Sequence, residues 1–362
     1  MLMSKLQGKS GMNNFKIGGI SIGLNNRPFI IAEMSGNHNQ SLDRALEIVE
    51  AAAKTGAHAL KLQTYTADTL TLDVSDGDFF IEDKSSLWKG KSLYELYGEA
   101  HTPWEWHEPI MKRANELGML CFSTPFDDTA VDYLEDLNVP AYKIASFENT
   151  HLPLIKKVAS TGKPMIISTG MASVSEMDEI VQTIRDAGCE QFILLKCTST
   201  YPATPGNSNV LTIPHMRKLF NCEVGLSDHT MGIGASVAAV AHGATVIEKH
   251  FTLNRAAGGV DSTFSMEPEE MKQLVIETER AWQSLGQIKY GTSDVEKGSL
   301  IFRRSLYIAE DMKKDDVLTE KNLRIVRPGL GLAPKYYDVV LGRKVNQDVK
   351  KGTAVDWELL TI

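Results

Sequence analysis

Short apolar runs rich in β-branched residues alternate with stretches of helical periodicity from residue 29 to about residue 286. The first run covers residues 29–34. Behind it Leu42, Ala45, Leu46, Val49, Ala52 and Ala53 recur three and four positions apart, the spacing of one helix face. Further runs occupy residues 57–63, 119–123, 141–145, 164–168, 192–196, 223–226 and 245–250. Ser173 and Glu176 mark a helix start in which each side chain can satisfy the other's exposed backbone donor. The last helical stretch, residues 268–282, carries acidic residues in its first turn. Eight strand–helix units over roughly 250 residues predict a (β/α)8 barrel. A doubly wound sheet is the runner-up; it more often has fewer repeats and a glycine-rich phosphate turn after its first strand.

The pattern also divides the chain. Residues 1–28 form an N-terminal segment whose residues 15–26 read as a hairpin placed to plug the N-terminal end of the barrel. Residues 29–286 are the barrel, and residues 64–102 form a long polar and aromatic insertion over its mouth. Residues 287–299 are a polar linker, and residues 300–362 a small β-rich domain. Within that domain Asp311-Met-Lys-Lys with Leu323 matches Asp348-Val-Lys-Lys with Leu360, which predicts a repeated turn-and-helix element.

Composition narrows the function. The 362 residues suit one large domain plus a small one, and 43% hydrophobic residues can build a substantial core. A net charge of -8 argues against nucleic acid as a partner, while a local lysine cluster can still attract an anionic substrate. No apolar run approaches the roughly 20 residues of a membrane span. Residues 1–14 have no apolar core for a secretory signal, and Met12 is a candidate start. The four cysteines lack CxxC spacing, so reduced thiols in the cytoplasm are expected.

Catalytic groups of such a barrel gather at the C-terminal strand ends. There the sequence places Glu33; Lys61 and Gln63; Ser123 and Thr124; Lys143 and Ser146; Ser168 and Thr169; Lys196; Ser227, Asp228 and His229; Lys249 and His250. Lysines 61, 143, 196 and 249, converging on one mouth, imply an anionic ligand, because an unpaired buried ammonium is costly. The hydroxyls of Thr124, Ser146, Ser168 and Ser227 suit phosphate oxygens. His229 and His250 end neighbouring strands and can share a divalent metal, with His38 as a third candidate. Two unrelated polar histidines are the alternative.

These residues lie in motifs that resemble the sialic acid synthase family. They include Glu33-Met-Ser-Gly-Asn-His-Asn39, Lys61-Leu-Gln63, Ser123-Thr-Pro-Phe126, Tyr142-Lys-Ile-Ala-Ser146 and Ser168-Thr-Gly-Met171. Gly225-Leu-Ser-Asp-His-Thr230, Glu248-Lys-His-Phe251 and Arg327-Pro-Gly-Leu-Gly331 follow in order. The resemblance implies a TIM barrel followed by an antifreeze-like (SAF, β-clip) domain, in a domain-swapped homodimer. It implies phosphoenolpyruvate on Thr124, Lys143, Ser146, Ser168 and Ser227, with Lys61 at its carboxylate. His229 and His250 would hold the metal: manganese first, magnesium or cobalt as alternatives. Glu33, Gln63, Glu148, Tyr201 and Asp261 would face the sugar, and Arg327 would reach in from the other chain.

Met34-Ser35 and Lys196-Cys-Thr-Ser-Thr-Tyr201 resemble the pseudaminic acid branch, whose sugar is a 2,4-diacetamido-2,4,6-trideoxy hexose. The N-acetylneuraminate and legionaminic acid branches are the alternatives. A synthase acting on a sugar phosphate would need further basic residues, and a non-catalytic carbohydrate- or ice-binding role would not need the polar strand ends.

Overall fold

The computed structural model describes residues 15–83 and 87–361; the expectations for residues 1–14 lie outside them. A two-stranded antiparallel ribbon, β1 (Lys16–Ile17) and β2 (Ile20–Ser21), comes first. The eight apolar runs form β3 (Phe29–Glu33), β4 (Ala59–Thr64), β5 (Leu120–Pro125), β6 (Tyr142–Ile144), β7 (Met165–Ser168), β8 (Phe192–Cys197), β9 (Glu223–Ser227) and β10 (Val246–His250). They are parallel and close into a barrel, with β10 pairing to β3. The (β/α)8 architecture expected from the alternation is therefore the observed one.

Helices follow the strands as the periodicity predicts: α1 (Leu42–Thr55), then α2 (Ala67–Leu70) and α3 (Leu93–Ala100) inside the insertion, and α4 (His107–Glu116). Around the barrel run α5 (Asp128–Asp136), α6 (Leu152–Ser160), α7 (Val174–Asp186), α8 (Thr212–Phe220), α9 (Gly234–Ala241) and α10 (Pro268–Leu285). Ser173 caps α7 by the reciprocal bond with Glu176. Ala45, Val49 and Ala52 of α1 are buried, as a core-facing stripe requires.

Inside the barrel one position must be glycine. A Cβ on Gly225 would stand 2.3 Å from the Val246 carbonyl oxygen and 2.7 Å from Leu195. The N-terminal ribbon packs on the same core through Phe15, Ile17 and Ile22, with Gly18 against Leu120 at the start of β5.

The chain divides into two units, one up to Gly286 and one from Gln287 onward. The second contains β11 (Ser305–Ile308) paired with β12 (Leu323–Val326), and α11 (Tyr337–Val340). Its two similar stretches clasp each other. Lys313 Nζ meets Asp348 at 2.7 Å, and Lys350 Nζ meets Asp311 at 2.8 Å. Each aspartate also accepts the backbone N–H of the other stretch, from Lys314 and Lys351. The stretches are turns joined by short β-bridges, without the helix expected in each. A reciprocal clasp satisfies the turn donors that a helix would otherwise have used.

Candidate active site

Register sets the height of each functional group. His250 pairs with Glu33, and Glu33 pairs with Lys61, so three polar side chains reach the barrel mouth at one level. Side chains alternate inward and outward along a strand. Glu33, Lys61, Gln63, Lys143, Ser168, Cys197, Ser227, Glu248 and His250 point inward and line one cavity of about 340 Å³. The loops after the strands add Ser146, Glu148, Tyr201, His229 and Asp261. Thr124 supports this set from behind, accepting a hydrogen bond from Lys61 Nζ at 3.1 Å.

The same alternation removes two of the four lysines. Lys249 lies between the inward Glu248 and His250 and therefore faces out, to Asp228 at 3.0 Å and the carbonyls of Thr230 and Gly232. Lys196 donates to the Cys197 carbonyl and Thr198, while Cys197 takes the inward position. Ser123 and Thr169 are also turned away, to Thr64 and the Leu195 carbonyl. His38 is not a third ligand: it contacts Thr102 at 3.1 Å and the ring of Trp106, tying down the end of the insertion. Arg327 lies exposed in the second unit.

Two lysines and two glutamates share the cavity floor. Glu248 accepts from Ser227 Oγ at 3.0 Å, with Lys143 Nζ at 3.5 Å and Lys61 Nζ at 3.9 Å. Lys143 also donates to Ser168 Oγ at 2.7 Å. Lys61 pairs directly with Glu33, which accepts from Gln63 as well. Burial opposes every one of these charges, so the partners decide. Both ammoniums outweigh burial at Glu248 and hold its carboxyl below the usual range. Burial opposes the Lys61 charge too, but Glu248 and Glu33 keep it above the usual lysine range. At Glu33 burial wins and raises the carboxyl to about 7. The Lys61–Glu33 contact is thus uneven: Glu33 is the group that gives up its charge first. Burial likewise lifts Glu148 to about 7.

The imidazoles of His229 and His250 lie 5.4 Å apart, centroid to centroid, over this floor. His229 Nδ1 stands 3.0 Å from the Thr198 carbonyl, which fixes that nitrogen as the donor and turns Nε2 toward the cavity; burial opposes the charge of this ring, but Cys197 and the Thr198 carbonyl hold it above the usual histidine range. His250 Nδ1 is buried without a hydrogen-bond partner, and burial with the nearby cations holds the ring well below the usual histidine range. A neutral, unpartnered imidazole nitrogen is what a metal ligand must offer. Among the described residues no group of three ligating side chains converges. The donor set therefore fits a divalent ion with two protein ligands and its remaining positions open to water or substrate oxygen.

Sequence reasoning missed Glu248 and Cys197 as cavity groups. The signal was present for Glu248, since an inward His250 makes the residue two before it inward too. The apolar rim supplied by the insertion was also missed, because nothing local in residues 64–102 tells which side chains face the mouth.

Comparison with known proteins agrees with the motifs. Residues 48–290 match the NeuB family and residues 303–361 match the SAF domain. Pseudaminic acid synthase from Campylobacter jejuni is 44% identical, over 90% of this chain and 95% of that protein. The enzyme of the same name from Helicobacter pylori is 40% identical, over 90% and 96% respectively. A crystal structure of N-acetylneuraminic acid synthetase from Leptospira borgpetersenii aligns with a TM-score of 0.69 at 33% identity, over 80% of this chain and 95% of that one. With its barrel, its mouth residues and its C-terminal SAF domain, this chain belongs to the NeuB family.

Proposed function

We propose that the chain condenses phosphoenolpyruvate with 2,4-diacetamido-2,4,6-trideoxy-L-altrose and water, giving pseudaminic acid and phosphate. The observation that carries this reading is the shared floor. Two buried ammoniums, Lys61 and Lys143, and two imidazoles, His229 and His250, open onto one cavity. The identity to pseudaminic acid synthase of Campylobacter jejuni, over nearly its whole length, supports the choice of sugar.

In this reading Lys143, Ser146, Ser168 and Ser227 bind the phosphate of phosphoenolpyruvate, and Lys61, backed by Thr124, its carboxylate. Gln63, Glu148, Tyr201 and Asp261 orient the sugar. A divalent ion on His229 and His250, manganese before magnesium or cobalt, would supply Lewis-acid polarisation of the aldehyde oxygen. The enol carbon bonds to the aldehyde carbon, and the aldehyde oxygen takes the proton carried by Glu33 and becomes a hydroxyl. Positive charge grows on the carbon that bears the phosphate, and water adds there. Glu33, with its carboxyl raised to about 7, accepts the proton of that water. The tetrahedral carbon then expels phosphate with cleavage of its C–O bond and becomes the ketone. Lys143 and the serines hold the leaving phosphate throughout.

Arg327 from a second copy of the chain would complete the sugar site in a domain-swapped homodimer. We place the reaction in the cytoplasm, where the four free cysteines stay reduced. The test supplies phosphoenolpyruvate with a panel of acetamido-sugar aldehydes, measures phosphate release and identifies the product by mass. Phosphate release that depends on the diacetamido sugar is expected. Absence of release with every aldehyde would sink the reading.

A further inference from the structure

The geometry points to the insertion between β4 and β5 as a specificity wall. It selects a sugar whose distal carbons end in methyl groups, as a deoxy terminus and an acylated amine do, over one bearing free hydroxyls there. This rests on the function proposed above and adds the residues that set the sugar class.

The cavity has two chemically distinct halves. Its floor carries the charged groups. On the side of the insertion it is lined chiefly by Leu70, Ile81, Trp88, Leu93 and Leu96, with the rings of Tyr65 and Tyr97 beside them. The indole N–H of Trp88 is already used, donating to the Val260 carbonyl at 3.0 Å across the mouth. That leaves two hydroxyls, of Tyr65 and Tyr97, as the polar side-chain atoms on this side still open to a ligand, among four aliphatic side chains and an indole.

The wall is held in place. Ser92 and Glu95 cap α3 reciprocally. Ile81 and its neighbours close a backbone pair, with Ile81 N–H to the Lys91 carbonyl and Gly90 N–H to the Ile81 carbonyl, both at 3.0 Å. Gln40 Nε2 donates to the carbonyls of Glu99 and His101 at the far end of α3. Gly36 lets the end of α3 approach, since a Cβ there would stand 3.2 Å from the Ala100 carbonyl oxygen. A fixed apolar surface discriminates, whereas a mobile one would adapt to either ligand.

The reactive aldehyde must lie over the floor, where the lysines and histidines are. The distal carbons of the sugar then extend toward the rim and meet this wall. A methyl group buried there gains about 4-fold in binding from leaving water. A hydroxyl in the same place loses its water partners without replacement, a penalty of roughly 10-fold or more.

The experiment uses the full chain with phosphoenolpyruvate and two aldehydes: the diacetamido trideoxy sugar and its 6-hydroxy analogue. The readout is the ratio of their kcat/KM values. The parent should favour the deoxy sugar by roughly 10-fold or more. Ile81→Asn and Leu93→Gln should bring the ratio toward one and leave the KM for phosphoenolpyruvate unchanged. Ile81→Val and Leu93→Met should preserve the ratio. Thermal melts check folding; should the polar variants not fold, the ratio of the parent still decides. A parent active on the deoxy sugar with a ratio near one, or polar variants with the parental ratio, overturns the wall and leaves the reaction standing. A parent that turns over neither sugar removes the reaction itself, and the wall with it.

Discussion

Replacing Glu248 with glutamine keeps the shape of the side chain and removes one buried charge. Glu248 is 5% exposed, with Lys143 Nζ at 3.5 Å and Lys61 Nζ at 3.9 Å. At an effective dielectric near 20 each attraction is about 4–5 kcal/mol. The cost of taking the carboxylate out of water offsets much of that gain. The net effect follows from what the substitution leaves behind. Lys61 retains Glu33 in direct contact, but Lys143 keeps only neutral hydrogen-bond partners, Ser168 Oγ at 2.7 Å and the Ile144 carbonyl at 3.2 Å, with the carboxyls of Glu33 and Glu148 acting from further off. Stranding a buried ammonium in this way costs about 3–5 kcal/mol of folding stability.

The pH dependence has a definite sign. Burial already holds Lys143 below the usual lysine range, and losing Glu248 lowers it further. Between a depressed folded pKa and the normal unfolded one, the unfolded chain binds more protons, so stability rises with pH. The gap between parent and Glu248→Gln is therefore widest near neutral pH and narrows toward pH 10. Urea unfolding followed by tryptophan fluorescence, at pH 7 and 9.5, reads both quantities. A gap under about 1 kcal/mol at pH 7, the value of a solvent-exposed pair, would mean that Lys143 is not stranded. So would a gap that does not change with pH. Added inorganic phosphate should stabilise the variant more than the parent, because one fewer carboxylate competes for the two ammoniums.

Three further outcomes are expected. His250→Ala should lower kcat by about 100-fold or more with little change in the KM for phosphoenolpyruvate, and chelation should act alike and be reversed by manganese; full turnover in metal-free enzyme would contradict the Lewis-acid role. Glu148 binds its proton more tightly when folded, so the stability it contributes is complete in acid and is lost as pH rises through about 7. Glu148→Gln should abolish that decline and exceed the parent by about 1–2 kcal/mol at pH 8, with no advantage at pH 4; urea midpoints at the two pH values decide it. Gly225→Ala, whose new methyl would meet the Val246 carbonyl oxygen at 2.3 Å, should cost about 3 kcal/mol or more. An unchanged melting temperature would show that the barrel yields there.

The number, kind and order of the barrel elements are legible in the linear chain. Helix faces such as Ala45, Val49 and Ala52, and the Ser173–Glu176 cap, are encoded within a few residues of one another. Most of the cavity groups were legible as well, because polar residues at the ends of apolar strands are visible in one dimension. Which of them face inward is set by the three-dimensional packing. Barrel strands are buried on both sides and read as unbroken apolar runs, so no alternation of polar and apolar residues marks the inner face. Closure of the barrel fixes that choice for every strand at once. It turns Lys196 and Lys249 outward, brings Cys197 and Glu248 in, and sets the aliphatic side chains of a distant insertion above the reactive floor.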